Sequence, residues 1–208
     1  MMKDYLLKNY GYNEPIFLSE LKIDGLSENA VRQSIKRLNQ NGFLARYDNG
    51  IYYIPRQDGL LLKSYLDPSL VIMRKYVKNK YDVYGYVTGM SFINQLGLTT
   101  QMPAMMEIVT NKESTNGRTI MIGNQQVRIK KSSTPVSDYN ADLLQFLDSI
   151  GQVEKYTEYS IDETIARLLA YVKKKQFTKA QLSEVSSIIT GSTAKKLIEW
   201  GMIYEFAS

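Results

Sequence analysis

Between Ser27 and Gly42 the chain carries Asn29, Arg32, Gln33, Lys36, Arg37 and Gln40, the side-chain types that hydrogen-bond base edges and hold phosphates. Val31, Ile35 and Leu38 recur among them at i, i+4 and i+7. A helix over this stretch therefore turns an apolar stripe inward and leaves a polar, basic face outside. Ser27 stands at its start, and Arg46, Tyr47 and Asn49 gather at a turn a few residues beyond its end. The chemistry on offer is recognition of a polyanion.

Catalysis has little to draw on. The chain holds no histidine and no cysteine, which removes histidine general bases, Ser-His-Asp triads, thiolate metal sites and disulfides. Neither G-x-x-x-x-G-K-[ST] nor G-x-G-x-x-G occurs. Carboxylate–magnesium, lysine or tyrosine chemistry is what survives. A nuclease of the restriction type needs an acidic residue and then E-x-K along a strand. Asp82 and Glu107 are present, but Glu107-Ile108-Val109 offers no lysine at that spacing and Lys112 falls past the strand end. Asp138, Asp142, Asp162 and Glu163 read as solvated helix residues. The cluster Tyr81, Tyr84 and Tyr86 reads as amphipathic packing. No catalytic residue, metal ligand or cofactor is expected.

The elements that must position the basic face are legible around it. Ser27 is a good N-cap with Glu28 in the first turn, and Gly42 suits a left-handed stop. Phe43–Tyr47 and Ile51–Pro55 are strand-forming runs joined by Asp48-Asn49-Gly50. Upstream, residues 2–10 suggest a helix with Leu6, Leu7 and Tyr10 on one side. Pro15–Phe17 is extended, and Leu18–Ile23 makes a short second helix before the Asp24-Gly25 turn. Helix, helix, turn, helix and hairpin within about 56 residues is the plan of a winged helix-turn-helix.

Residues 1–56 are thus expected to be a DNA-binding domain, 57–66 a connector with a helical turn at Leu60–Tyr65, and 67–208 a second domain. There, Asp67-Pro68 opens a helix to about Lys80, with Leu70, Met73 and Val77 inward. Thr88 caps a short helix ended by Gly97. Met105–Thr110 is a buried strand, and Arg118–Ile122 with Gln125–Lys131 form a hairpin turning at Gly123-Asn124. Helices follow from Ser137 or Asp138, over Asp162–Lys175, and over Lys179–Ser187 and Ser192–Trp200 with a break at Gly191. The fold class is α+β: a winged helix-turn-helix followed by a mixed α/β domain with a small antiparallel sheet.

Charge is unevenly distributed. The formal balance is +1 over residues 1–58, +6 over 59–135 and −2 over 136–208. A pI near 9.1 suits a polyanionic partner. The central excess marks Arg74, Lys75, Lys78, Arg128, Lys130 and Lys131 as a secondary basic surface, set against the plainer alternative of a solvated face. No long apolar run and no apolar leader are visible, so a cytoplasmic protein without membrane contact is expected. One internal echo stands out. KRLNQNGFLARY (36–47) and KKLIEWGMIYEF (195–206) match in apolar and glycine positions at a constant offset. The second has no hairpin partner and no basic wing, so reuse of a local solution is favoured over a second DNA reader.

Two stretches carry a family resemblance. GFLARYDNGIYYIP (42–55) resembles the wing of the AbiEi antitoxin family, with Gly42, Leu44, Arg46, Gly50, Tyr52 and Pro55 in its pattern. YGYVTGMSFINQLGLTTQMP and EIVTNK, within 84–112, resemble the start of that family's C-terminal domain. The resemblance implies a transcriptional repressor that binds promoter inverted repeats in double-stranded DNA through the winged helix. It also implies the antitoxin of a type IV toxin–antitoxin, abortive-infection system. Its partner would be a nucleotidyltransferase-like toxin, countered through the C-terminal domain without a stable complex. The residues themselves leave two other readings open: an enzyme acting on DNA, and a one-component regulator whose C-terminal domain senses a ligand or protein partner.

Overall fold

A computed structural model describes residues 2–56 and 64–207. The chain is α+β and divides into two compact units, Met1–Arg74 and Lys75–Ser208. The expected connector 57–66, with its helical turn, lies largely outside the described residues. Among those described, no helix is long and apolar enough to cross a membrane.

In the first unit, α1 (Met2–Asn9) buries Leu6 completely. β1 (Ile16–Phe17) then enters a three-stranded antiparallel sheet of order β1-β3-β2 with β2 (Ala45–Asp48) and β3 (Ile51–Tyr53). The helix expected over Leu18–Ile23 is only a 3₁₀ turn, Leu18–Glu20. Six residues with Leu21 turned into the core and Asp24-Gly25 close behind leave no room to propagate an α-helical ladder. α2 (Glu28–Gln40) has the expected bounds. Ser27 Oγ accepts from Ala30 N at 3.3 Å, and Gly42 takes φ +73° past the helix end. Val31, Ile35 and Leu38 join Leu6, Ile16, Leu21, Leu44 and Ile54 in one core.

α3 (Pro68–Tyr76) starts as expected, Asp67 accepting from Ser69 N at 2.8 Å, but ends a turn before Lys80. Its buried side is also rotated: Val71 and Ile72 are fully buried, while Leu70 is exposed. Leucine and valine are both apolar, and periodicity over so short a segment does not choose between adjacent stripes.

The second unit is built on a four-stranded sheet of order β4-β5-β7-β6, comprising β4 (Gly85–Thr88), β5 (Met106–Thr110), β6 (Arg118–Ile122) and β7 (Gln125–Lys131). The sheet is mixed, which corrects the antiparallel expectation. β6 and β7 form the expected hairpin, but β7 inserts beside β5 and runs parallel to it, pairing Ile108 with Ile129. Burial explains the placement. Val127 and Ile129 of β7 are fully buried and need neighbours on both sides, whereas β6 is mostly exposed and takes the edge. β4 has no counterpart in the sequence reading. All four of its residues are buried, so it lacks the alternation that marks a half-wet strand. Gly85 is required there, since a Cβ would lie 2.2 Å from the Tyr76 carbonyl oxygen.

α4 (Gly89–Gln95) and α5 (Ala141–Tyr156) pack near β4, and α6 (Ile161–Lys175) starts at Ser160, whose Oγ accepts from Glu163 N. α5 begins later than Ser137 because the Ser137 carbonyl first closes a turn onto Asn140 N and Ala141 N. α7 (Lys179–Glu184), a 3₁₀ turn Ser186–Ile188, α8 (Gly191–Glu199) and a final 3₁₀ turn Met202–Glu205 complete the unit. Gly191 opens α8 instead of breaking a helix. Phe146, Phe177 and Phe206 follow one another through the core as tilted ring pairs, with centroids 5.6 and 5.9 Å apart.

Candidate nucleic-acid interface

α2 buries one stripe and presents the other. Asn29, Arg32, Gln33, Lys36, Arg37 and Gln40 are all exposed, and spacings of three and four residues bring them onto one broad face. Among the described residues the charge of Arg32 meets Glu28, at 3.8 Å with both side chains largely exposed. A surface pair of that kind is worth little and releases its arginine readily. Ser27 is occupied as the helix cap, so its part is to fix the helix start.

The hairpin behaves differently from its sequence. Arg46 is exposed but folds back: Nε donates to the Asp48 carbonyl at 3.3 Å and a terminal nitrogen donates to Asn49 Oδ1 at 3.2 Å. Asn49 N in turn donates to Asp48 Oδ1 at 2.6 Å. The register slips between Arg46 and Asp48, a bulge at Tyr47, and only Gly50 in the loop takes positive φ. The Tyr47 hydroxyl is buried with no hydrogen-bond partner among the described residues. Burial, then the Asp48 and Asp67 carboxylates, pushes that hydroxyl's pKa up. The Tyr47 hydroxyl is thus turned away from solvent while its ring stays half-buried, and Arg46 and Asn49 are exposed at the hairpin tip.

The secondary basic residues do not form one free patch. Arg74 meets Glu20 at 3.3 Å. Lys75 lies over the ring of Tyr76, and Lys78 is exposed. Lys130 pairs with Glu107, while Arg128 and Lys131 are exposed.

The acidic candidates are likewise taken up. Glu107 is held by Lys130, Asp82 accepts from Asn79, and Lys112 lies 3.6 Å from the ring centre of Tyr84. Among the described residues no three acidic side chains gather as a metal site would require.

Both segments of the C-terminal resemblance are tied into the second unit by side-chain hydrogen bonds. Glu158 accepts from Thr99 Oγ1 at 2.8 Å and from Thr100 N and Oγ1 at 2.9 Å, pinning the GLTTQMP loop. Asn111 ties β5 to Val136 by paired hydrogen bonds of 2.8 and 2.9 Å. The sequence matches, over residues 12–179, a family described only as one of unknown function, DUF6088. The chain belongs to DUF6088. The match covers α2, the hairpin and the whole four-stranded sheet of this DUF6088 protein. No curated protein matches it.

One feature escaped the sequence reading. A cleft of about 290 Å³ opens between β7, α5 and the segment 188–193. Tyr86, Lys130, Lys131, Asp148, Gln152 and Thr190 supply its polar wall. Asp148 accepts from Tyr86 Oη at 3.1 Å and Thr88 Oγ1 at 3.2 Å. Burial raises the Asp148 pKa despite those two bonds and the nearby Lys130. Tyr86 and Asp148 are 62 residues apart, and nothing in their local patterns links them.

Proposed function

We propose that this DUF6088 protein is a transcriptional regulator that binds double-stranded DNA through a winged helix-turn-helix in its first unit. The observation that carries the reading is α2: an N-capped helix with one buried stripe, whose free face holds Arg32, Gln33, Lys36 and Arg37 and which leads directly into a hairpin. The order α1, β1, 3₁₀ turn, α2, β2, β3 with the sheet order β1-β3-β2 supports this reading, with the 3₁₀ turn standing in the place of the domain's second helix. The helix enters the major groove, and the hairpin runs along the backbone with Arg46 and Asn49 at its tip.

Resemblance to the AbiEi antitoxins extends the proposal. The protein represses its own operon at inverted repeats and counters a nucleotidyltransferase-like toxin in the cytoplasm, acting without catalysis and without a stable toxin complex. Titration of its own promoter and of scrambled DNA across salt tests the first half, since counterion release makes phosphate contacts steeply salt-dependent. Affinity that is flat with salt, or equal on both DNAs, rejects it. Survival of cells co-expressing an adjacent nucleotidyltransferase-like gene tests the second.

The cleft beside Asp148 favours a second reading, a regulator that senses a small ligand there. A partly buried carboxylate among convergent polar groups is a frequent mark of a binding site. Ligand-dependent release from the promoter would distinguish it.

A further inference from the structure

The echo of residues 36–47 at 195–206 holds in three dimensions as far as the glycine stop, past which the first copy enters β2 and the second a 3₁₀ turn. α2 starts on a hydroxyl cap, Ser27 accepting from Ala30 N; α8 starts on another, Thr190 accepting from Thr193 N at 3.2 Å. Leu38 and Leu197 are the matching buried residues, at 8% and 2% exposure. Gly42 and Gly201 stop the two helices with φ +73° and +70°. A 3₁₀ turn stands ahead of each helix, preceded by β1 before α2 and by α7 before α8. The chain after α8 returns to the start of this segment, Ala207 bridging Thr178. The second unit therefore ends in two short helices joined through a 3₁₀ turn.

Its outer face is not one for nucleic acid. The positions of Arg32 and Gln33 are held by Gly191 and Ser192, and that of Gln40 by Glu199. Lys196, in the place of Arg37, is drawn inward to Glu154 at 2.8 Å and to the Ile150 carbonyl. Where the first copy has Asn39 and Ala45, the second has Ile198 and Tyr204, 56% and 79% exposed. Around them the charges are balanced. Lys195 and Glu199 sit one turn apart at 3.5 Å, both more than half exposed. Residues 136–208 carry −2 overall, which disfavours phosphate.

We propose that this corner is a docking surface for a second copy of the chain, formed by α8 against α8 about a two-fold axis. Charge complementarity selects this partner. A lysine and a glutamate one turn apart, flanking an exposed isoleucine, are self-complementary when two such helices pack antiparallel. Lys195 then faces the partner subunit's Glu199 and the reverse, while Ile198 and Tyr204 are covered. The exposed pair within one chain is weak and exchanges at little cost.

Sedimentation velocity of the full chain without DNA, over a wide concentration range, tests the proposal independently of DNA binding. The wild type is expected to dimerise reversibly. Ile198→Glu and Lys195→Glu should each weaken dimerisation by about tenfold or more. The double variant Lys195→Glu/Glu199→Lys should restore it, an effect that misfolding cannot produce. A wild type that stays monomeric overturns the proposal, as does a dimer indifferent to all three variants. Loss of promoter affinity in Lys195→Glu with unchanged sedimentation would make α8 a nucleic-acid reader and overturn it too.

Discussion

Arg46 turns its guanidinium back onto Asn49, donating to Oδ1 at 3.2 Å, and so ties the tip of its own hairpin. Both side chains are exposed, which makes the bond cheap to exchange for a phosphate. Arg46→Ala is expected to lower affinity for promoter and scrambled DNA alike and to reduce the salt slope by about one contact. Arg46→Lys keeps the charge but loses the fork, and should retain most of the slope. Equal losses in the two variants would mean that Arg46 only braces the loop.

Gly85 has no room for a side chain. Its Cβ would stand 2.2 Å from the Tyr76 carbonyl and 2.7 Å from that of Val109, both backbone atoms. Overpacking against backbone cannot relax through a rotamer change, so Gly85→Ala should cost the second unit at least about 3 kcal/mol. Denaturant unfolding followed through Trp200, the one tryptophan and a residue of that unit, measures it. A loss below about 1 kcal/mol would show that β4 is not held against Tyr76 in solution.

Glu113 is almost fully buried at its side chain and accepts from Arg118 Nε at 2.9 Å, Thr115 Oγ1 at 2.7 Å and the Ser114 and Thr115 amides. These donors, Arg118 first, hold its pKa down to about 2. A carboxylate with a depressed folded pKa stabilises the fold above its unfolded value, near 4.3, and loses that contribution as pH falls toward 2. Glu113→Gln should therefore lower the thermal midpoint at pH 7 and flatten its decline between about pH 4.3 and 2. Parallel acid limbs in the two proteins would contradict the pairing.

Asp148 works in the opposite sense. Burial raises its folded pKa, so its ionised form opposes folding. The penalty is absent below the unfolded value, about 3.9, and grows as pH rises through the folded one. Asparagine can still accept from Tyr86 and Thr88 through Oδ1. Asp148→Asn is expected to raise the thermal midpoint at pH 8 and to change it little at pH 3.5. A variant less stable at pH 8 would mean that the charge itself holds the cleft together.

What the sequence reveals follows from which forces are local. α2 and its hairpin are legible because cap, stripe, glycine stop and turn lie within 29 consecutive residues, Ser27 to Pro55, and agree with one another. β4 is hidden because a fully buried strand has no alternation, and the parallel β5–β7 pairing because register across separate strands leaves no periodic trace. The Leu18–Ile23 helix is over-read for the converse reason: local propensity supports a helix where a following turn and a buried Leu21 permit only 3₁₀. The burial of the Tyr47 hydroxyl lies at a one-residue bulge, which leaves no periodic trace. The Asp148 cleft depends on contacts between segments far apart in the chain.

Arg32 offers the sharpest test of where the sequence is read. It lies in the second turn of α2, four residues past Glu28, exposed beside the buried stripe of Val31 and Ile35, and its ion pair among the described residues is the loose one to Glu28. An arginine so placed matches guanine O6 and N7, a pairing that discriminates by about 1–3 kcal/mol. Arg32→Ala is expected to weaken promoter binding by about that amount while leaving scrambled DNA nearly unchanged, so the gap between them narrows. Loss of the Glu28 pair alone would shift stability by less than about 1 kcal/mol, so the thermal midpoint should hardly move. Titrations of wild type and variant on both DNAs, at low and physiological salt, separate the outcomes. Unchanged specificity in the variant would show that Arg32 does not read the promoter sequence.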